Sequence, residues 1–254
     1  MATMTSLEVT DATAAVIGEL GARYMLHPET MAIGTEAKYA NGFAWYVTGR
    51  GGVLGDVDAD VVTSAFGFFG SGLIRKMWET GLQTESARDA GRRYAGACAD
   101  FGRRRLQGAA GLERFSELSE KVLGNVDVSG LALFAALRAE PAPADAAGRA
   151  YWNISLLREW RGSEHIIAVR ANGFTPAQAV LTGYKDLATG VAEATKRGFG
   201  EGHTDATPLM ARRPAIDAMT STLQASGYEV LSGEERAELA ALVSGLKDAL
   251  DAHK

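Results

Sequence analysis

Apolar residues recur three and four positions apart along most of the chain, and this spacing is typical of amphipathic α-helices. No run alternates apolar and polar residues for long enough to form a major sheet. The sequence therefore predicts a mostly helical, all-α fold. Helices are predicted over 10–26, 35–49, 59–81, 85–106, 111–125, 126–140, 175–198, 211–227 and 234–252, with another long one through 156–173 and a break at 27–34.

The Pro/Ala stretch at 141–145 is the clearest predicted domain boundary. It divides the chain into an N-terminal helical domain, 1–140, and a C-terminal domain, 146–254. The C-terminal part has the element order of a winged-helix unit, because its helices are followed by a short extended segment and a final helix. We predict a small β-hairpin at 228–233 as the wing and the helix 212–226 in the recognition position.

The charge of the chain bears on DNA as a partner. The 254 residues carry a formal net charge of −5, whereas nucleic-acid binders usually have a basic excess that neutralises phosphates. The predicted wing and the residues after it, 228–236, hold three glutamates and one arginine. DNA is therefore a partner that the sequence allows but does not favour.

The single cysteine, Cys98, cannot form an intrachain disulfide and is predicted to be a small buried residue of a helix. No run reaches the roughly 18 apolar residues of a membrane span, and the N-terminus lacks the pattern of a signal peptide. We expect no membrane partner and a cytoplasmic location.

One segment, 156–173, places charged side chains on a helix that is otherwise apolar. At about 100° per residue, its polar side spans roughly 60° of the helix. That side holds Arg158, Arg161, His165 and Asn172, with Gly162 beside them. The opposite side, which is predicted to face the core, holds Leu156, Trp160, Ile167 and Ala171.

Two glutamates of the same segment lie off this polar side. Glu164 falls on the apolar side, where an unpaired carboxylate is costly, so we predict that an arginine of a neighbouring helix pairs with it. Glu159 lies nearer the boundary and is predicted to orient one of the local arginines.

The polar side has two competing interpretations. In the first, buried ion pairs join the C-terminal part to the N-terminal helices. In the second, which we prefer, Arg158, Arg161 and His165 face a cavity and bind an anionic or carbonyl-bearing ligand. The arginine fork suits a carboxylate or phosphate, and His165 is the candidate general acid/base, since histidine exchanges protons near neutral pH.

Further ligand contacts are predicted at helix ends and glycine-rich turns, where polar contacts to ligands commonly lie. The candidates there are Tyr24, His27, Trp45 and Arg50. Phe66 and Phe69 stand near glycines that would let a flat ligand approach, although tight helix packing explains the same pattern. The predicted ligand-binding set is completed by Arg158, Glu159, Arg161 and Glu164.

No motif identifies a cofactor or a metal. The glycine-rich stretches 49–55 and 198–202 lack the preceding strand of phosphate and dinucleotide loops. The histidines, which show no metal-ligand spacing, are His27, His165, His203 and the predicted solvated tail residue His253. No metal site is predicted, the cofactor is unknown, and haem ligation by His165 stays open.

The segment "LLREWRGSEHIIAVRANGFTPAQA" resembles the signature of an actinobacterial, largely uncharacterised family described as helix-turn-helix proteins. The signature is Leu-Arg-Glu-x-Arg-Gly-x-x-His, and the matching positions are Arg158, Glu159, Arg161, Gly162 and His165. Members usually have histidine where this chain has Trp160. The resemblance implies a helical N-terminal part joined to a winged-helix-like C-terminal part, and this analogy of fold does not establish DNA binding.

Three functions are consistent with these patterns, and whether the chain is an enzyme stays open. The preferred function is a small-molecule site between the N-terminal helices and the helix of Arg158 and His165. The alternative is a ligand-responsive transcriptional regulator that binds DNA through 212–226. The third is an interaction protein. Its candidate homodimer surface is formed by Leu239, Leu242, Leu246 and Leu250. The alternative is that these leucines pack on their own domain.

Overall fold

The computed structural model describes residues 2–201 and 205–252, and every regular element in this part of the chain is helical. The predicted all-α class is therefore confirmed. The α-helices are α1 (Ser6–Ala22), α2 (Pro28–Glu36), α3 (Gly42–Gly51), α4 (Ala59–Phe66), α5 (Ser71–Gly81), α6 (Ala87–Leu106), α7 (Leu112–Asn125), α8 (Ala132–Arg138), α9 (Ala146–Ala171), α10 (Pro176–Thr182), α11 (Leu187–Lys196), α12 (Thr207–Met210), α13 (Arg213–Ala225) and α14 (Gly233–Asp251). His203 and His253 lie outside the described residues.

The β-hairpin predicted at 228–233 is wrong, because a 3₁₀ turn, Ser226–Val230, leads directly into α14. Tyr228 and Leu231 are both buried, and residues three apart face opposite sides of a strand. Ser232 and Glu235 then form a reciprocal capping box that starts α14. The described residues therefore contain no wing of the winged-helix kind.

Several predicted helix boundaries are corrected by capping residues. Pro28 occupies the first turn of α2 and the His27 ring caps it, so the break predicted at 27–34 is mostly helix. The side chains of Asn41 and Asp186 accept hydrogen bonds from the first turns of α3 and α11. New helices therefore begin inside the segments 35–49 and 175–198, each of which was predicted to be one continuous helix.

A glycine turn interrupts the predicted helix 59–81 between α4 and α5. Gly67 has a φ of +71°, in the left-handed region that favours glycine. Gly70 donates its N–H to the carbonyl oxygen of Arg197 at 2.7 Å. A Cβ on Gly70 would lie 1.9 Å from the carbonyl oxygen of Gly198, so glycine is required where this turn meets the end of α11.

α9 is the central helix and packs against α1, α6, α7, α8 and α13. Its Tyr151 and Trp160 side chains lie in the main core with Trp45 of α3 and Tyr228. Cys98 is buried on α6, as predicted. The boundary predicted before α9 falls in the loop after α8, and the division into two domains stays a prediction.

The leucines of α14 pack inside the chain. Leu239, Leu246 and Leu250 are buried in the main core, and Leu242 is partly buried against it. The surface predicted for a homodimer is therefore occupied by the protein itself. The homodimer stays a prediction without an assigned surface.

Two smaller apolar clusters hold α10 to α12 against the end of α9 and the start of α13. Phe68 of the glycine turn packs on both clusters. Residues of α3, α9 and α11 border one cleft. Among the described residues, no helix combines the length and the hydropathy that a membrane crossing requires.

Candidate ligand-binding site

A cleft of about 760 Å³ opens between the α1–α2 turn, α3, α4, α9 and α11. Its volume is typical of small-molecule sites. Its aromatic lining consists of Phe43, Tyr46, Phe66, Phe68 and Phe69. Its charged lining consists of Arg23, Arg50, Arg158, Glu159, Glu193, Lys196 and Arg197. The charged lining is therefore net positive, although the whole chain carries −5.

The aromatic rings form a continuous wall. Phe43 stacks on Tyr46 with ring centroids 5.5 Å apart and an interplanar angle of 20°. The Phe69 ring lies 5.7 Å from the Phe43 ring and 6.2 Å from the Phe66 ring. This wall offers ring faces and edges against which a flat or apolar group can pack.

A buried ion pair forms the floor of the cleft. Nε and Nη2 of Arg50 donate to the two carboxylate oxygens of Glu159 at 3.1 and 2.8 Å. Glu159 is only 2% exposed, and Arg158 Nη1 donates to it as well. The Arg50 guanidinium also lies 4.4 Å from the centroid of the Phe66 ring. The prediction that Glu159 orients one of the local arginines is consistent with its contact to Arg158, whereas its pairing with Arg50 of α3 was not predicted.

The floor is ionised at neutral pH. Burial alone would raise the pKa of Glu159, but the charges of Arg50 and Arg158 outweigh burial and lower it. Burial, the largest single effect, lowers the pKa of Arg50, but the charge of Glu159, the nearby Tyr46 and the hydrogen bonds to Glu159 together outweigh burial and raise it. One carboxylate therefore holds two guanidinium groups in place.

Arg158 is the arginine of this floor with spare hydrogen-bonding capacity. It is 26% exposed, and Nη1 is its one nitrogen that donates to an acceptor in the described part of the chain. Arg158 is also one of the residues that line the cleft. A Cβ on Gly21 of α1 would lie 2.7 Å from Cβ of Arg158, so this glycine lets α1 pack closely there.

The other members of the predicted polar side face α13 and do not line the cleft. Arg161 Nη1 donates to Oε1 of Gln224 at 2.6 Å. His165 Nδ1 lies 2.9 Å from the Thr220 hydroxyl, and its Nε2 lies 3.1 Å from Arg213 Nη2. Because Arg213 can only donate, Nε2 accepts, and Nδ1–H donates to Thr220. The polar side is thus divided between the cleft and an interface of helices.

Burial, then the charge of Arg213, lowers the pKa of His165 from 6.5 to about 4. The unfolded chain therefore protonates this side chain before the folded chain does, and the free energy of unfolding falls as the pH decreases from 6.5 towards about 4. The steepest contribution is about 1.4 kcal/mol per pH unit. His165→Asn keeps a donor for Thr220 without titrating, so denaturant unfolding across this range should show a shallower slope. Equal slopes for the two proteins would contradict a neutral His165.

Three other predicted contacts lie away from the cleft. Glu164 accepts from Trp160 Nε1 at 3.3 Å, and the predicted arginine partner is wrong, since no described arginine or lysine lies within 4.0 Å of it. Tyr24 is buried in the core against Tyr94. Trp45 is buried and donates Nε1–H to the carbonyl oxygen of Thr30.

On the apolar side of α9, the predicted core residues Leu156 and Trp160 are buried, whereas Ile167 and Ala171 are exposed.

The cleft gathers Arg50, Phe66, Phe69, Arg158 and Glu159 of the predicted set, together with His27 at its edge. Sequence reasoning did not include Phe43, although its spacing to Tyr46 and Arg50 places all three on one face of α3. It also missed Arg197, whose guanidinium lies 5.3 Å from the Phe69 centroid. No sequence pattern identifies Arg197, because the fold of α10 to α12 brings it there.

The protein is all-helical in its described residues and has a cleft with two arginines, Arg50 and Arg158, at its floor. A model of the helix-turn-helix family matches residues 10–254, and the chain belongs to this family. Comparisons with curated proteins and with solved structures find no match. Among the described residues, no group of three or more His, Cys, Asp or Glu side chains is arranged to hold a metal ion.

Proposed function

We propose that this protein binds a small organic anion with an apolar body in the cleft between α3, α9 and α11. The observation that carries the proposal is the guanidinium of Arg158, in which two nitrogens, Nε and Nη2, donate to no described protein acceptor and which lines an aromatic cleft. Whether a reaction follows binding is left open by the proposal, and His165 lies outside the cleft lining.

The two arginines of the floor are preorganised for binding an anion. Glu159 fixes both Arg50 and Arg158, so little side-chain entropy is lost when an anion binds. A guanidinium offers parallel donors to a carboxylate, phosphate or sulfonate. Arg197, which pairs with no described carboxylate and donates to the Tyr184 hydroxyl, adds positive charge to the lining that attracts anions.

The aromatic wall is suited to the apolar body of the same ligand. Phe43, Phe66 and Phe69 are each partly or fully buried, and the Phe69 ring contacts the other two. A ligand that displaces water from these rings gains about 25 cal/mol for each Å² of apolar surface buried. The cleft therefore combines an arginine that can bind an anion with an aromatic wall that can cover an apolar group.

Two fluorescent probes with one skeleton test the proposal. The probe 8-anilinonaphthalene-1-sulfonate carries an anion, whereas N-phenyl-1-naphthylamine is neutral. Arg158→Gln is expected to weaken binding of the sulfonate about tenfold or more, because a hydrogen bond to a charged group contributes about 1.5–3 kcal/mol. The affinity for the neutral probe should stay unchanged.

Arg92→Gln is the matched control for the loss of one charge, because Arg92 is exposed on α6 and paired with Asp89. It should leave both affinities at the wild-type values. The proposal is contradicted if neither probe binds the wild-type protein, or if both variants weaken the sulfonate equally.

A DNA-binding regulator is the second candidate, and membership of the helix-turn-helix family favours it. The arginines at the start of α13 argue against it, because each already makes hydrogen bonds within the protein. Arg212 Nη2 donates to the carbonyl oxygen of Asn172 at 2.7 Å, and Arg213 contacts His165. Binding of duplex DNA that weakens steeply with salt would support this candidate, and no binding at low salt would exclude it.

A further inference from the structure

A second hollow of about 420 Å³ lies on the other side of α4 from the cleft. It is bounded by α4, the start of α8 and α9. Val61, Leu133 and Ile166 give it apolar walls, and Asp60 lies at its edge. Nothing in the proposed anion site requires this hollow.

Three side chains line both the cleft and the second hollow: Ala65 of α4, and Ser163 and Ile166 of α9. The partition between the two spaces is therefore one side chain thick. Ala65 and Ser163 are short, so Ile166 is the large member of the partition. Ile166 is half-buried and rests against the glycine turn, where a Cβ on Gly67 would lie 2.7 Å from its Cδ1.

We infer that the two hollows form one groove, and that its ligand is a long-chain amphiphile with a single anionic head. This inference rests on the proposed function, because the head group is the anion held by Arg158. The chain runs along the aromatic wall, passes Ile166 and ends in the second hollow. A change of the Ile166 rotamer is enough to open the partition, since its neighbours Ala65 and Ser163 are small.

The charges at the two ends of the groove set the polarity of this ligand. The cleft end is rich in arginine, whereas the charged side chain that lines the second hollow is Asp60. Asp60 is 72% exposed and paired with Arg75 at the surface. The described lining of the second hollow contains no arginine or lysine, so a second anionic group at the far end of the ligand has no cationic partner there. The groove therefore fits a monoanion with an apolar end and disfavours a dicarboxylate.

A series of straight-chain alkanoates from butanoate to dodecanoate, each below its micelle concentration, tests the groove by displacing 8-anilinonaphthalene-1-sulfonate. Burial of each added methylene is expected to strengthen binding about three- to fourfold. The gain should continue through the longest chains, because they reach the second hollow. If the cleft is closed at the partition, the gain stops at intermediate length.

Ala65→Leu narrows the passage without touching Arg158. It is expected to weaken dodecanoate about tenfold or more, while butanoate keeps its wild-type affinity and so reports an intact fold and head-group site. Ala218→Leu adds the same volume to an exposed position of α13 and should change neither affinity.

The outcomes of these experiments distinguish a failure of the groove from a failure of the proposed function. If Ala65→Leu weakens butanoate and dodecanoate equally, or if affinity does not depend on chain length, the groove is overturned while the anion site stands. If 8-anilinonaphthalene-1-sulfonate binds through Arg158 but no alkanoate displaces it, the amphiphile is overturned. If the sulfonate probe does not bind, the proposed function falls together with the groove.

Discussion

Glu159→Gln is expected to lower the free energy of unfolding by about 3–5 kcal/mol, the cost of breaking a buried ion pair from one side. The substitution keeps the size of the side chain but removes its charge. Arg50 and Arg158 would then lie side by side around a neutral amide, and Arg50 would keep little access to water. Denaturant unfolding of the wild type and the variant measures the difference.

Glu164→Gln is the matched control, because it makes the same chemical change about one and a half turns further along α9. Glu164 is half-buried and accepts a hydrogen bond from Trp160, and burial raises its pKa. Its loss of charge should change the free energy of unfolding by no more than about 1 kcal/mol. Equal effects of the two substitutions would contradict the role given to Glu159.

Replacing both partners of the pair separates charge from packing. The double variant Arg50→Met, Glu159→Leu should be more stable than Glu159→Gln alone, since apolar side chains of similar size avoid the burial of unpaired charge. Only Arg158, which is 26% exposed, is then left without its carboxylate, and the variant should lose affinity for 8-anilinonaphthalene-1-sulfonate because Glu159 no longer holds Arg158 in place. A double variant less stable than Glu159→Gln would argue against this account of the floor.

Gly70→Ala is expected to cost about 3 kcal/mol, the upper end of the usual range for overpacking, and to weaken the sulfonate probe. The added Cβ would lie 1.9 Å from the carbonyl oxygen of Gly198. Because this oxygen belongs to the backbone, the overlap is not relieved by a change of side-chain rotamer. The α4–α5 turn must separate from the end of α11, which carries Arg197 at the cleft. Thermal unfolding and a probe titration measure the two effects.

Gly72→Ala provides the control two residues away. No atom lies within 4 Å of a Cβ placed on Gly72, and this glycine is exposed in the first turn of α5. Alanine there should stabilise the helix by about 0.5–1 kcal/mol and leave probe binding unchanged. If the two glycine variants behave alike, the contact between the α4–α5 turn and α11 does not position the cleft.

The helical class could be predicted from apolar periodicity, whereas the turns that shape the cleft could not. The periodic pattern continues across Gly67 and Phe68, because both flanking segments bury apolar residues. The chain turns there through one left-handed glycine and one close contact with Gly198, and that contact is 128 positions away in sequence from Gly70. A pattern that is local in sequence does not contain such a contact.

The polar side of α9 was predicted from the angles of its residues around the helix axis. Its division between the cleft and the contact with α13 follows from the distances between these residues along the axis. Arg158 and His165 differ by roughly 20° around the axis but by about 10 Å along it. At this separation different helices pack on them, so Arg158 lies at the cleft and His165 contacts α13. The helical wheel projects these positions together, and only the tertiary packing separates them.

The most direct test of the central claim is a crystal structure of the protein with 8-anilinonaphthalene-1-sulfonate bound. We expect the sulfonate within hydrogen-bonding distance of Nε or Nη2 of Arg158, with the ring system against Phe43, Phe66 and Phe69. A probe bound elsewhere on the surface, with the cleft occupied by solvent alone, would contradict the assignment of this cleft as the anion site.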